Sequence, residues 1–257
     1  MKIVSYNLRY DTPQDGDQQF VHRLPYILAR IKEEAPDVIG FQEALQHMRE
    51  ALRDGLDEYY IVGGGRDADR FGESSIIAFR KGKYNLNECD TFWLSPTPYV
   101  PGSRFPEDQS PCPRACTMVS LTETKTGKTF AVYNLHTDHE GVIARKRSSE
   151  ELLARIKADT ARRALPFLMT GDFNALPDAE EIRLLKEAGL RDLAEGCGGT
   201  FHGFGKFGED FGNTRNYKID YIFAPAGITS KGFRLWKEKR DGLFLSDHYP
   251  VEAEVEF

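Results

Sequence analysis

Ile3-Val4-Ser5-Tyr6-Asn7 opens the chain as a β-branched and aromatic run that ends on a polar side chain, and Asp37-Val38-Ile39-Gly40-Phe41-Gln42-Glu43 repeats that form. Between them Leu24, Ile27, Leu28 and Ile31 recur at helical spacing, and Pro36 punctuates the helix. The same order returns later. Phe130-Ala131-Val132-Tyr133-Asn134-Leu135-His136 is a strand, a helix runs through Leu152, Leu153 and Ile156, and Pro166-Phe167-Leu168-Met169-Thr170-Gly171-Asp172 is a second strand. Asn7 and Glu43 lie 36 positions apart (43 − 7), as do His136 and Asp172 (172 − 136). A right-handed crossover puts both strands of such a unit in one sheet, with their C-terminal ends at one edge. Two units packed sheet against sheet bring four polar residues to one rim.

The remaining strands are expected at 75–79, 91–94, 118–122, 219–223 and 251–257. The stretches 96–113, rich in Pro, Gly and Ser, and 200–217, rich in Gly, Phe and Asn, read as loops bordering a substrate groove. No linker or low-complexity run divides the 257 residues, so a single domain over 1–257 is expected. The net charge of −6 speaks against a protein that grips long duplex DNA through phosphate contacts alone. Cys89, Cys112, Cys116 and Cys197 are too few for a disulfide framework, and Cys112 and Cys116 lack a second metal-binding pair. No signal-peptide pattern and no membrane-length apolar window is present, so a soluble cytoplasmic protein without a membrane partner is expected.

Asn7, Glu43, His136, Asp138, Asp172, Asn174 and Asp220 each sit at or beside such an apolar run, and Ser246-Asp247-His248-Tyr249-Pro250-Val251 leads into the last one. Polar groups at strand ends pack poorly but converge well on a ligand. Clustered carboxylates repel one another unless a cation lies among them. An oxygen-rich set without thiolate suits a hard ion, Mg²⁺ or Mn²⁺. Together these features point to a metal-dependent phosphate-ester hydrolase.

Ser5-Tyr6-Asn7-Leu8-Arg9, Phe41-Gln42-Glu43, Asn134-Leu135-His136-Thr137-Asp138, Gly171-Asp172-Phe173-Asn174, Ile219-Asp220-Tyr221 and Ser246-Asp247-His248 stand in an order that resembles the endonuclease/exonuclease/phosphatase superfamily, the group of the DNase I-like nucleases. The resemblance implies an α/β fold, a four-layer α/β/β/α sandwich of two mostly antiparallel sheets packed face to face with helices outside. It implies metal ligation by Glu43 with the side-chain oxygen of Asn7, and Asp247 near the metal or a second ion. By the same resemblance Asp172 orients or deprotonates the attacking water, Asn174 and His136 hold phosphate oxygens, and His248, hydrogen-bonded to Asp220, stabilises developing charge. Gly65-Arg66-Asp67, Thr91-Phe92-Trp93-Leu94-Ser95, Pro101-Gly102-Ser103-Arg104 and His136-Thr137-Asp138-His139 with Ala144-Arg145 look like a bacterial branch related to deadenylase and nocturnin-like enzymes. Phe105-Pro106-Glu107-Asp108, where that branch has a Gly-Trp-Asp-like run, and Ala68, where it often has an acid, depart from it and bear on substrate identity.

Some of these residues also have ordinary explanations. Asp172 and Asn174 suit a strand-to-turn transition, and Asp220 suits a strand end. His139 reads as a loop cap, His22, His47 and His202 as surface or packing residues, and Phe92 and Trp93 as core aromatics. Arginines usually face solvent, yet Arg66 and Arg145 sit beside site loops where a guanidinium can fork onto phosphate. Arg9 is grouped with them; it stands where the abasic-site nucleases usually carry an acid, which speaks against DNA repair. The expected activity is a phosphodiesterase or nuclease acting on a nucleotide-containing substrate, with nucleic acid admitted and no obligate protein partner. The alternatives are a phosphatase of a small phosphorylated metabolite or dinucleotide, and an inactive binding module of the same fold.

Overall fold

The computed structural model describes residues 1–206 and 217–257; residues 207–216, most of the expected 200–217 loop, lie outside the described residues. In chain order the elements are β1 (Lys2–Asn7), α1 (Phe20–Glu34), β2 (Val38–Ala44), α2 (Gln46–Gly55), β3 (Tyr59–Val62), β4 (Ser74–Arg80), β5 (Tyr84–Trp93) and β6 (Ala115–Glu123). They continue with β7 (Thr129–His136), α3 (Val142–Arg162), β8 (Phe167–Asp172), α4 (Glu180–Glu187), β9 (Leu190–Asp192), β10 (Asp220–Pro225), β11 (Thr229–Leu235) and β12 (Val251–Glu256). One sheet has the order β11-β12-β1-β2-β4-β3 and the other β5-β6-β7-β8-β10-β9. At the centre of each, a parallel pair (β1/β2 and β7/β8) is flanked on both sides by antiparallel neighbours. The two strand–helix–strand units therefore occupy matching places. Residues 91–93 and 118–122 of the expected strands prove to be parts of the longer β5 and β6, with Leu94 just beyond β5. β3 and β9 are too short for alternation to mark them, and β11 is mostly exposed, which is why the sequence did not mark them.

Period-2 alternation sorts the side chains into layers. Val4, Tyr6, Ile39 and Phe41 face outward onto Ile27 and Ile31 of α1 and Met48 and Leu52 of α2. Met169, Tyr221 and Phe223 pack the opposite face against Leu152 and Ile156 of α3 and Ile182 and Leu185 of α4. Between the sheets lie Ile3, Val38, Ile77, Val132, Leu168, Ile222 and Val251. The result is the α/β/β/α sandwich.

The inter-sheet layer turns polar one step towards the strand ends. Asn134 lies wholly buried there. Its Nδ2 donates to the carbonyls of Phe41 (2.8 Å) and Ile76 (2.9 Å), both in the opposite sheet. Its Oδ1 accepts from Gln42 Nε2 (2.7 Å) and Thr170 Oγ1 (3.0 Å). A carboxamide offers two donors and two acceptor lone pairs, so every one is used. Gly40 makes room for this contact, because a Cβ there would lie 2.1 Å from Thr170 Oγ1 and 2.5 Å from Asn134 Oδ1. Gly40→Ala should overpack this layer and lower the unfolding free energy by about 1–3 kcal/mol, read as a reduced urea midpoint at unchanged m-value.

Candidate active site

The four central strands end at one rim, with Asn7, Glu43, His136 and Asp172 at or next to their last residues. Their antiparallel neighbours begin there and contribute residues at or before their starts: Glu73 ahead of β4, Arg114 ahead of β6, Asp220 opening β10, and Asp247 and His248 ahead of β12. Alternation alone would aim Glu43 outward with Ile39 and Phe41. A register irregularity between Phe41 and Ala44, with Glu43 in the left-handed region (φ 61°), turns it back to the rim. Arg9 (φ 58°) and Asn174 (φ 46°) adopt the same region. Each follows a side chain that caps it: Asn7 Oδ1 accepts from Arg9 N (2.8 Å), and Asp172 Oδ1 accepts from Asn174 N (2.9 Å). Such backbone states cost about 1–3 kcal/mol each for non-glycine residues and cluster at functional sites.

Asn7 Nδ2 bridges Glu43 Oε1 and Asp172 Oδ2, both at 2.9 Å, across the two sheets. Asn7 thus holds two carboxylates through its nitrogen, while its oxygen accepts from Arg9 N and keeps a second lone pair. Tyr10 N donates to the other Glu43 oxygen (2.8 Å). His248 Nδ1 lies 2.9 Å from Asp220 Oδ2, the partnership expected from sequence, and its Nε2 faces Asp172 Oδ2 at 3.9 Å and Asp247 Oδ1 at 4.0 Å. Asn174 Nδ2 contacts His136 Nε2 (3.0 Å) and the Thr137 carbonyl (3.2 Å).

Electrostatics divide the two histidines. Burial disfavours charge on His248, but the Asp220 carboxylate, with Asp247 and Asp172, outweighs it and lifts the pKa to about 10. His136 moves the other way, lowered by burial and by Arg114 and Arg66, so its 3.6 Å approach to Asp172 is not an ion pair. Burial and the facing Asp220 raise Asp172 to about 7, and burial with Glu43 raises Glu73 to about 7. Asp247 is raised by burial and by Glu43. Glu43, His136 and Asp172 each present a ligand atom within 4.8 Å of the others, and so do Asp172, Asp220 and His248. Buried carboxylates that raise one another's pKa, beside a neutral imidazole, fit a divalent cation. The donor set is that of a hard ion.

Glu43, His136, Asp172, Asp247 and His248 line a cleft of about 460 Å³ together with Arg9, Tyr10, Arg66, Glu73, Cys112, Arg114, His139, Asn174, Phe201 and Ile219, with Asp220 behind His248. Of the three arginines expected to meet phosphate, Arg9 and Arg66 line it, each held by two hydrogen bonds to a carboxylate, Asp15 and Glu73. Arg145 is not in the lining; it binds Glu181 Oε1 (2.7 Å) and the Asp138 carbonyl (3.2 Å). Asp138 is likewise set back, accepting from Gly141 N (2.7 Å) and Ser110 and lying 3.4 Å from Arg114 Nε. Arg114 was not anticipated. It is 3% exposed, its Nη2 contacts His139 Nδ1 at 2.7 Å, and its Nη1 has no partner among the described residues. Antiparallel pairing was the available signal, since it sets the start of β6 beside the end of β7.

A family model described as the endonuclease/exonuclease/phosphatase family matches residues 4–248. The chain belongs to that family. A Bacteroides vulgatus endonuclease/exonuclease/phosphatase superposes with a TM-score of 0.90 at 31% identity, covering 99% of this chain and 98% of the other. A Bacteroides thetaiotaomicron mannosyl-6-phosphatase gives a TM-score of 0.89 at 30% identity with both chains fully covered. The human nocturnin catalytic domain, at 16% identity, 100% and 93% coverage and a TM-score of 0.76, shares the fold. Asp220→Asn should cut turnover by about 10²- to 10⁴-fold while the circular dichroism spectrum and urea midpoint stay near wild type, since it removes the charge that holds His248 as an imidazolium.

Proposed function

We propose that this protein is a Mg²⁺- or Mn²⁺-dependent hydrolase that removes phosphate from a small phosphorylated metabolite. The observation that carries this is the meeting, in one cleft, of the Glu43–Asp172–Asp247 carboxylates, His248 backed by Asp220, and Arg114, whose Nη1 has no partner among the described residues. A volume of about 460 Å³ is that of a small-molecule site. The net charge of −6 and the engagement of Arg9 and Arg66 by carboxylates disfavour a polymer-binding groove. Similarity to a mannosyl-6-phosphatase over both full chains supports a monoester.

A divalent cation held by Glu43 and Asp247 would neutralise phosphate charge and stabilise the oxygen that leaves. Asp172 accepts the proton of the attacking water as its oxygen bonds to phosphorus. The bond to the leaving oxygen breaks, and the His248 imidazolium supplies that oxygen with a proton. Asn174 would turn its amide N–H groups from His136 and the Thr137 carbonyl to a non-bridging oxygen, freeing His136 Nε2 to donate to another, and Arg114 adds charge from the cleft wall. A nucleotide-containing diester is the second reading, favoured by Tyr10 and Phe201, aromatic side chains of the kind that stack bases, in the lining.

The test is hydrolysis of mannose 6-phosphate, p-nitrophenyl phosphate, bis-p-nitrophenyl phosphate, oligo(A), single-stranded DNA and NADP⁺ with Mg²⁺, Mn²⁺ or EDTA. We expect metal-dependent phosphate release from a monoester, lost by about 10²-fold or more in folded Asp172→Ala. Preference for the diesters would select the second reading. No metal-dependent turnover, or full activity in Asp172→Ala, would remove the assignment.

A further inference from the structure

α1 buries Ile27 and Ile31 against the first sheet, and an apolar residue at position 23 would pack equally well. Arg23 stands there, 0% exposed. A buried guanidinium is destabilising unless its donors are satisfied. Four hydrogen bonds to backbone carbonyls meet this need, three to residues outside the helices and strands and one to Gln18, which ends a short 3-10 turn over Pro13–Gln18. Nε donates to Gln18 O (2.6 Å), Nη1 to Leu8 O (2.9 Å) and Leu245 O (2.7 Å), and Nη2 to Arg9 O (3.3 Å). Tyr6 Oη donates to the same Leu245 carbonyl at 3.0 Å.

Two of the three segments gripped frame the acidic centre from one side. Leu8 and Arg9 lead into Tyr10, whose N–H holds Glu43, while Leu245 leads through Ser246 into Asp247 and His248. Arg9 Nε lies 3.8 Å from Asp247 Oδ2, so the two segments touch at the centre as well. A planar fork with fixed N–H directions sets the spacing of its acceptors, which a flexible single-nitrogen ammonium cannot do.

We propose that Arg23 is a positioning residue that fixes the Glu43 side of the acidic centre relative to the Asp247–His248 side and thereby sets the affinity for the divalent cation. The inference rests on the metal-dependent reading above. Groups that orient metal ligands typically change affinity by 10- to 100-fold when replaced.

Mn²⁺ binding by titration calorimetry and the Mn²⁺-induced rise in Tm would be compared in wild type, Arg23→Lys, Arg23→Met and Leu28→Ala. Leu28→Ala, on the same helix and partly buried against the same core, supplies a loss of packing away from the loops. We expect Kd to rise about 10- to 100-fold in Arg23→Met and by less in Arg23→Lys, with a smaller Mn²⁺-induced Tm shift in both. Leu28→Ala should lose Tm in EDTA yet keep the wild-type Kd. If Arg23→Met fails to fold, Arg23→Lys carries the test. Wild-type Kd in the folded Arg23 variants overturns the inference alone. An equal loss of affinity in Leu28→Ala also overturns it, because general destabilisation would then be the cause. A wild-type protein that binds no Mn²⁺ overturns it together with the metal-dependent reading.

Discussion

The contact of Asn134 with the backbone of the opposite sheet is the constraint on which the rest of the structure depends. Apolar side chains hold two sheets together but leave their sliding register weakly specified. A carboxamide whose two N–H groups must find the Phe41 and Ile76 carbonyls admits one register. Gly40 lets the sheets approach closely there, one pleat below the rim. With that register fixed, the ends of β1 and β2 face the ends of β7 and β8, and Asn7 can reach Glu43 in its own sheet and Asp172 in the other.

Above this layer the chain gathers groups that a stable core would exclude. Asp172, Asp220 and His248 are almost fully buried within a few ångströms of one another, and Asp172 and Asp220 are direct cross-strand partners in an antiparallel pair, an unfavourable arrangement for like charges. The compensation is local and directional: an imidazolium against Asp220, an amide bridge between Glu43 and Asp172, and backbone N–H groups on Glu43 and Asp172. The centre is thus anionic and closely held, flanked by guanidinium groups on the cleft wall. That charge pattern suits a cation below and a phosphate above.

Much of this was legible in the sequence because strand–helix–strand units carry strong periodicity and place their last residues predictably. Asn7, Glu43, His136 and Asp172 were found that way, and their meeting followed from the crossover rule. The Asp220–His248 pair followed from the family resemblance. Arg114 and Glu73 escaped because they precede strands instead of ending them, and only the antiparallel pairing puts such residues at the same rim. Arg145 was drawn towards the site by its place after Asp138, but the turn of α3 directs it to Glu181. The donor orientation of Asn7 depends on Arg9 N, a contact made by a left-handed residue that no periodicity marks. Edge strands β3 and β9 were missed because they are only four and three residues long, and β11 because it buries little.

The left-handed backbone at Glu43 separates the interests of folding from those of the site. Glycine or asparagine would occupy that conformation with less strain, and either would remove one charge from a crowded anionic cluster. On stability alone, glutamate is a poor choice at this position. Stabilising the chain by backbone preference alone would therefore remove this carboxylate, and with it the anionic centre that the fold assembles.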